Sequence, residues 1–286
     1  MFHQRQAVVG ASVLSLSVVG LVLSACGAEP MGDEGSEPVG RTAEPLVITD
    51  EFEIVAGDPN LVLAPYSSSL CVLTAIGGGL VNSGGWQSTV DIWFSGGAFT
   101  NWLLSSFGPA SDPANPLWAR ARCVTGLASN QKAGPYIWAQ GDAAVDMGAS
   151  SARACFLTSV YGKYNGNGEQ VRTRVSNGRW ILDGTAGTAE NYRVGGRAYC
   201  LSGFTRTGEL SVSPPANDTA VTGAPLSWYF GNEDSDICGL TRVRGKFNAQ
   251  SDYLKADFTF LSGTWFLSGS SSASPISGSM VCTVTH

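Results

Sequence analysis

The chain has 286 residues with 17 basic and 23 acidic side chains, a net charge of −6 at pH 7, two histidines and seven cysteines. That balance argues against nucleic acid as a partner, because neutralising phosphates takes a Lys/Arg surface. With His3 and His286 the only histidines, the commonest general base and metal ligand is almost missing from the chain.

Residues 1–25 begin polar with one basic residue, Arg5, continue through an apolar run from Ala7 to Leu23, and end in small residues. This is the pattern of a secretory signal and is set aside from the fold. The run closes on Leu23-Ser24-Ala25-Cys26, which resembles the lipobox of bacterial lipoproteins. The resemblance implies a lipid-linked Cys26 as the mature N-terminus and a membrane partner reached through that lipid. Gly27 in place of Asp resembles the pattern sent onward to an outer membrane, so the expected location is the bacterial cell envelope, at the outer membrane or cell surface. Residues 26–45 carry five acidic residues, four Gly and three Pro without one aromatic. Such a segment buries too little apolar surface to offset ordering entropy and is expected to be a disordered tether. Residues 46–286 then form the body.

Within the body one stretch occurs three times: Cys71-Val-Leu-Thr-Ala-Ile-Gly-Gly-Gly-Leu80, Cys155-Phe-Leu-Thr-Ser-Val-Tyr-Gly-Lys-Tyr164 and Cys238-Gly-Leu-Thr-Arg-Val-Arg-Gly-Lys-Phe247. The copies are 84 and 83 residues apart, a period that marks a repeat architecture with units of about 46–123, 124–200 and 201–286. Each unit holds two cysteines, so a repeated bridge pairs Cys71 with Cys123, Cys155 with Cys200 and Cys238 with Cys282. Six cysteines allow fifteen connectivities in principle, but an exported repeat favours the repeated one. Each closed loop is worth roughly 3–4 kcal/mol in the chain-entropy account.

Between the cysteines the strand signals recur. The first unit has Thr89–Phe94 and Trp102–Leu104; the second has Glu169–Val175, an Asn177-Gly178 hairpin turn, and Trp180–Leu182; the third has Tyr253–Phe260 and Trp265–Leu267. A last strand leads into Cys123, Cys200 and Cys282. The expected class is all-β, in three pseudo-repeated, disulfide-stapled antiparallel units. A flat four-strand meander would hold first and last strands about 14 Å apart, whereas bridged Cα atoms lie about 4.4–6.8 Å apart. The two must therefore be neighbours, as in a Greek key of order 4-1-2-3, or face each other across a fold-over. The body resembles a β-prism or an enlarged β-trefoil; the alternative is three small β-domains in a row.

Nothing in the sequence spells out an active site or a cofactor motif. Asp142, Asp146, Glu169, Asp183, Glu190 and Asp252 are the carboxylates that could run glycoside hydrolysis, yet no two stand in a recognisable pair. Asn232, Asp234 and Asp236 place oxygen ligands at alternate positions and form a calcium candidate without the full EF-hand pattern; an acidic turn with no ion is the simpler account. Trp102, Trp180 and Trp265 share one repeat position, and Trp138 and Trp228 another, so both sets are expected in the core. Trp86, Trp93 and Trp118 have no counterparts. A loop from Ser105 to Trp118, rich in Pro and Ser, accounts for the first unit's greater length. This broken symmetry puts the expected ligand surface around Trp86, Phe107 and Trp118, since tryptophan stacks on sugars and partner surfaces. The expected role is non-enzymatic: binding a glycan, matrix or protein ligand, adhesion, or a structural part in the envelope. The alternative is a carboxylate-dependent hydrolase of envelope or extracellular polysaccharide.

Overall fold

The computed structural model describes residues 46–80, 88–94, 100–108, 116–185, 193–212, 221–222, 236–259, 264–272 and 276–284. Cys26 and the tether, Trp86, Glu190, Trp228, Asn232 and Asp234 lie outside them. The described residues are all-β, and each repeat supplies four principal strands. The first unit gives β1 (Ser69–Gly77), β2 (Thr89–Phe94), β3 (Asn101–Phe107) and β4 (Trp118–Thr125). The second gives β5 (Arg153–Tyr161), β6 (Gln170–Ser176), β7 (Arg179–Thr185) and β8 (Gly195–Ser202). The third gives β9 (Asp236–Gly245), β10 (Tyr253–Thr259), β11 (Thr264–Ser270) and β12 (Ile276–Val284). The β6–β7 hairpin turns at Asn177 and Gly178, both at positive φ (50° and 71°), as its tight turn requires.

The disulfides are those the repeat dictates: Cys71–Cys123, Cys155–Cys200 and Cys238–Cys282. In each unit the first and fourth strands pair antiparallel with the two cysteines directly opposite. The hairpin made by the second and third strands behaves differently. It leaves its own unit and pairs with the first strand of another: β2 with β5, β6 with β9, and β10 with β1. The three sheets are therefore each built from two repeats, in the orders β4-β1-β10-β11, β8-β5-β2-β3 and β12-β9-β6-β7. The Greek-key order 4-1-2-3 is present in every sheet, with strands 2 and 3 supplied by a neighbouring unit. Because the exchange runs around a closed ring, the units are interlocked, and the arrangement is prism-like; beads in a row would keep each hairpin at home.

Short strands extend the sheets. The first gains Val47–Ile48 and Phe52–Val55 against β4 and Val221–Thr222 against β11; the second gains Leu61–Pro65 and Lys132–Ala139. The third gains Thr205–Arg206 and Leu210–Val212 against β12 and Val145–Ala149 against β7. Lys132–Ala139 contains Pro135 to Trp138, and Trp138 is buried as expected.

The repeated motif does the same work in all three copies. Its threonines, Thr74, Thr158 and Thr241, are fully buried, and each is the extra residue of a β-bulge that bends the first strand. Its glycines, Gly78, Gly162 and Gly245, all sit at positive φ (86°, 112° and 105°). Each donates its N–H to the carbonyl just ahead of the exchanged hairpin: Gly78 to Asp252 at 2.9 Å, Gly162 to Ser88 at 3.0 Å, Gly245 to Glu169 at 3.0 Å. Its final residues, Leu80, Tyr164 and Phe247, are fully buried, and their backbones link in series, Tyr164 N–H to Leu80 O at 2.8 Å and Phe247 N–H to Tyr164 O at 3.0 Å. The residue after each cysteine differs for a steric reason: a Cβ at Gly239 would lie 2.7 Å from Phe156 and 2.9 Å from Val72. One position carries the large side chain, so another must carry none.

Trp102, Trp180 and Trp265 are buried at equivalent places, each beneath a cation. Lys132 Nζ lies 5.5 Å from the ring of Trp102, the Arg206 guanidinium 5.4 Å from Trp180, and the Arg122 guanidinium 5.2 Å from Trp265. Trp102 and Trp180 also donate Nε1 to the carbonyls of Ser69 and Arg153, at 3.0 and 2.9 Å.

Alanine at Gly162 would need a left-handed backbone and place Cβ 2.5 Å from the Arg193 carbonyl, whereas Gly208 has nothing within 4 Å and ordinary φ. Gly162→Ala should therefore destabilise by more than about 1 kcal/mol in urea unfolding. Gly208→Ala should be neutral or slightly stabilising; equal losses at both positions would contradict the motif's role.

Candidate functional site

The exchange places three sheet faces side by side in chemistry. One row of equivalent residues runs across strands 4-1-2-3 of every sheet. In the first it reads Arg120, Ala75, Lys255, Ser268; in the second Arg197, Ser159, Asp91, Ser105; in the third Ser279, Arg242, Arg172, Asp183. The backbone around these positions is common to all three sheets, so the side chains alone distinguish the faces.

The second sheet carries an open cleft of about 280 Å³ lined by Tyr66, Asp91, Trp93, Phe94, Pro135, Ile137, Arg197 and Tyr199. Alternation along β2 builds its floor and wall. Val90 and Ile92 point into the core, which leaves Asp91 and Trp93 on the opposite face. Phe94 and Ile137 are exposed at 37 % and 53 %, and Phe94 stacks on Tyr66 with ring centres 4.0 Å apart and planes at 17°. Below them Tyr199 meets the buried Trp102 edge-on at 5.0 Å. Gly134 gives Tyr199 its room, for a Cβ there would fall 2.6 Å from the ring.

Arg197 Nη1 donates to Asp91 Oδ1 at 3.0 Å on this floor. Burial raises the Asp91 carboxyl from its ordinary 3.8 to about 6, an effect that Arg197 and a bond with Ser159 oppose without cancelling. Burial likewise lowers Lys132, from 10.5 to about 8. Its ammonium sits 3.7 Å from the centre of the Tyr66 ring and donates to the backbone carbonyls of Tyr66 and Ser69, which fixes Tyr66 at the cleft's edge. Burial and a hydrogen bond with Tyr66 raise the Tyr199 phenol well above its usual range. The result is a cleft with rings along one wall and a desolvated ion pair in its floor. It can stack on an apolar sugar or side-chain face while offering both a donor and an acceptor.

Trp118 lies on the first sheet, half-buried against Gly77, where a Cβ would be 2.4 Å from its ring. It lines two further clefts of about 300 and 230 Å³, one with Glu53, Val55, Pro116 and Gln250, the other with Tyr253, Lys255, Asp257 and Ser268. Arg120 borders both and is already engaged, Nη1 with Glu51 at 3.1 Å and Nε with Glu53 at 2.6 Å. Phe107 is 58 % exposed but belongs to β3 in the second sheet, and it lines none of these clefts. Trp118 and Phe107 therefore stand on different sheets. The reason is the exchange, which sends one unit's hairpin and its fourth strand to separate faces. The loop expected from Ser105 to Trp118 is also shorter than its composition suggests. Ser105, Ser106 and Phe107 pair with Asp91, Val90 and Thr89, and the two serines remain in strand because their hydroxyls donate to the carbonyls of Asp91 and Leu117.

The carboxylates singled out from sequence that lie among the described residues have structural partners. Asp252 is fully buried and accepts from the backbone N–H groups of Asn248, Ala249 and Ser272; Glu169 accepts from Gly166 N–H. Asp142 caps the turn after Ala139, Asp146 pairs with Arg179, and Asp183 holds Arg172 and Arg174. Asp236 of the calcium candidate is buried at the start of β9, and among the described residues no three acidic, His or Cys side chains cluster as metal ligands. Sequence reasoning missed Tyr66, Asp91, Phe94, Arg197 and Tyr199. For Asp91 the signal was available, since it alternates with Val90 and Ile92 on the same side as Trp93.

No protein-family model matches the chain, no curated protein matches it, and no solved structure matches it. The chemistry of the faces is therefore the only guide to what the body binds.

A carboxyl raised from 3.8 to about 6 holds its proton more tightly in the folded state, so stability should fall as pH rises through that window and level off above it. The fall should be no more than about 2–3 kcal/mol. Asp91→Asn should flatten it in thermal melts recorded at successive pH values; an unchanged slope would show that Asp91 is not the titrating group.

Proposed function

We propose that this chain is a non-enzymatic glycan-binding lipoprotein of a bacterial envelope, held by lipid on Cys26 and displayed on the acidic tether of residues 26–45. The observation that carries the binding reading is the cleft on the second sheet, where Trp93, Phe94 and Tyr66 present rings beside the Asp91–Arg197 pair. A pyranose offers an apolar face to such rings and hydroxyls to the paired charges. Glycoside hydrolysis asks for two carboxylates flanking the scissile bond, and among the residues lining this cleft Asp91 is one carboxylate engaged with a guanidinium. That favours holding a sugar over cleaving it.

Screening the full chain on a glycan array, followed by titration of the best ligand, tests this. Trp93→Ala should weaken binding about tenfold or more, of the order that loss of a stacked ring costs, and should leave the melting temperature nearly unchanged. Binding unaltered by Trp93→Ala would place the ligand elsewhere. Steady release of reducing ends from a polysaccharide, abolished in Asp91→Asn, would replace the reading with a hydrolase.

A further inference from the structure

The third sheet bears a different face. Arg242 on β9 stands directly opposite Arg172 on β6; because the two strands run antiparallel, Arg244 lies one alternation to one side of this pair, opposite Gln170, and Arg174 one alternation to the other side. Four guanidinium groups thus share one face in a chain whose net charge is −6. Their local partners do not balance them. Asp183 is shared between Arg172 at 2.7 Å and Arg174 at 2.8 Å, whereas Arg242 donates Nε to the neutral amide of Gln170 at 2.8 Å and Arg244 to the carbonyl of Asn167 at 3.1 Å. Burial, followed by the charges of Arg244 and Arg172, lowers the Arg242 pKa, and Glu209 opposes this. Like charges directly across a strand pair destabilise a sheet. The equivalent rows on the other two sheets avoid the conflict with Ala75 beside Lys255 and Ser159 beside Asp91.

We infer that this line of arginines binds an acidic polysaccharide, its pendant carboxylate or sulfate groups pairing with Arg172, Arg242 and Arg244. Strands about 4.8 Å apart and alternate residues about 6.8 Å apart set the guanidinium groups in a staggered line, Arg174, then Arg172 beside Arg242, then Arg244, and planar guanidinium forks suit carboxylate and sulfate oxygens. The side chains of Arg172 and Arg174 are only 33 % and 35 % exposed, lying low on the sheet. A slender chain with pendant anions reaches that depth, and a planar lipid surface does not. The site is on a different sheet from the aromatic cleft and does not depend on it.

The test uses the full chain with Cys26→Ala, which carries no lipid, on immobilised heparin and polygalacturonate, with neutral dextran and phosphatidylglycerol vesicles as comparisons. Both acidic polysaccharides should retain the protein at about 50 mM salt and release it as screening grows, and dextran and vesicles should not retain it. Arg172→Ser with Arg242→Ser should weaken retention about tenfold or more, by analogy with the loss of charge-assisted pairs. The exposed Arg244→Ser, which risks little folding, should weaken it several-fold, and Trp93→Ala should leave it unchanged. Failure of the Cys26→Ala chain to bind at low salt, full retention by Arg244→Ser, or equal capture by the vesicles would each overturn the inference.

Discussion

A single hydrogen bond, made three times, sets the architecture. The N–H of Gly78, Gly162 or Gly245 reaches the carbonyl ahead of another unit's hairpin, and from that point β10, β2 and β6 run alongside β1, β5 and β9. The positive φ at the glycine redirects the chain beyond this bond, so the one residue type that adopts it without cost is present in all three copies. The threonine bulge four residues earlier bends the strand toward the junction, and Leu80, Tyr164 and Phe247 bury themselves just beyond it. The disulfides then fix the first strand to the fourth, while these bonds fix the first strand to a neighbour. Neither alone would close the ring.

Closing the ring by exchange also decides how function can vary. Each face mixes two repeats, so a substitution in one unit's hairpin alters a face whose other half belongs to the next unit. The row that reads Arg197, Ser159, Asp91 on the second sheet and Ser279, Arg242, Arg172 on the third shows the effect. Backbone register is held constant by the buried positions between, Val90, Val171 and Leu254, and the outward positions diverge freely into rings, opposite charges or like charges.

Much of the scaffold was legible in the sequence because it depends on features that a repeat makes visible. Period, cysteine pairing, the Asn177-Gly178 turn and the buried Trp102, Trp180 and Trp265 follow from spacing and alternation. The exchange of hairpins does not, because alternation reports which side of a strand is buried and is silent on which strand lies beside it. Nor does alternation show which distant residues meet. Trp118 and Phe107 are close in the sequence but end on different sheets, whereas Asp91, Arg197 and Tyr66 are far apart in the chain and meet in one cleft. Ser105 and Ser106 show a second limit: a serine signals a turn only until its hydroxyl finds a carbonyl, as both do here.

The account rests most heavily on hairpins paired outside their own repeat, and backbone NOEs in the isotope-labelled protein test that directly. Cross-strand contacts should join Leu254 to Ile76, Val90 to Val160 and Val171 to Val243, the partners in the exchanged register. Contacts joining Val90 to Ile76, Val171 to Val160 and Leu254 to Val243 instead would keep each hairpin at home and contradict the interlocked ring.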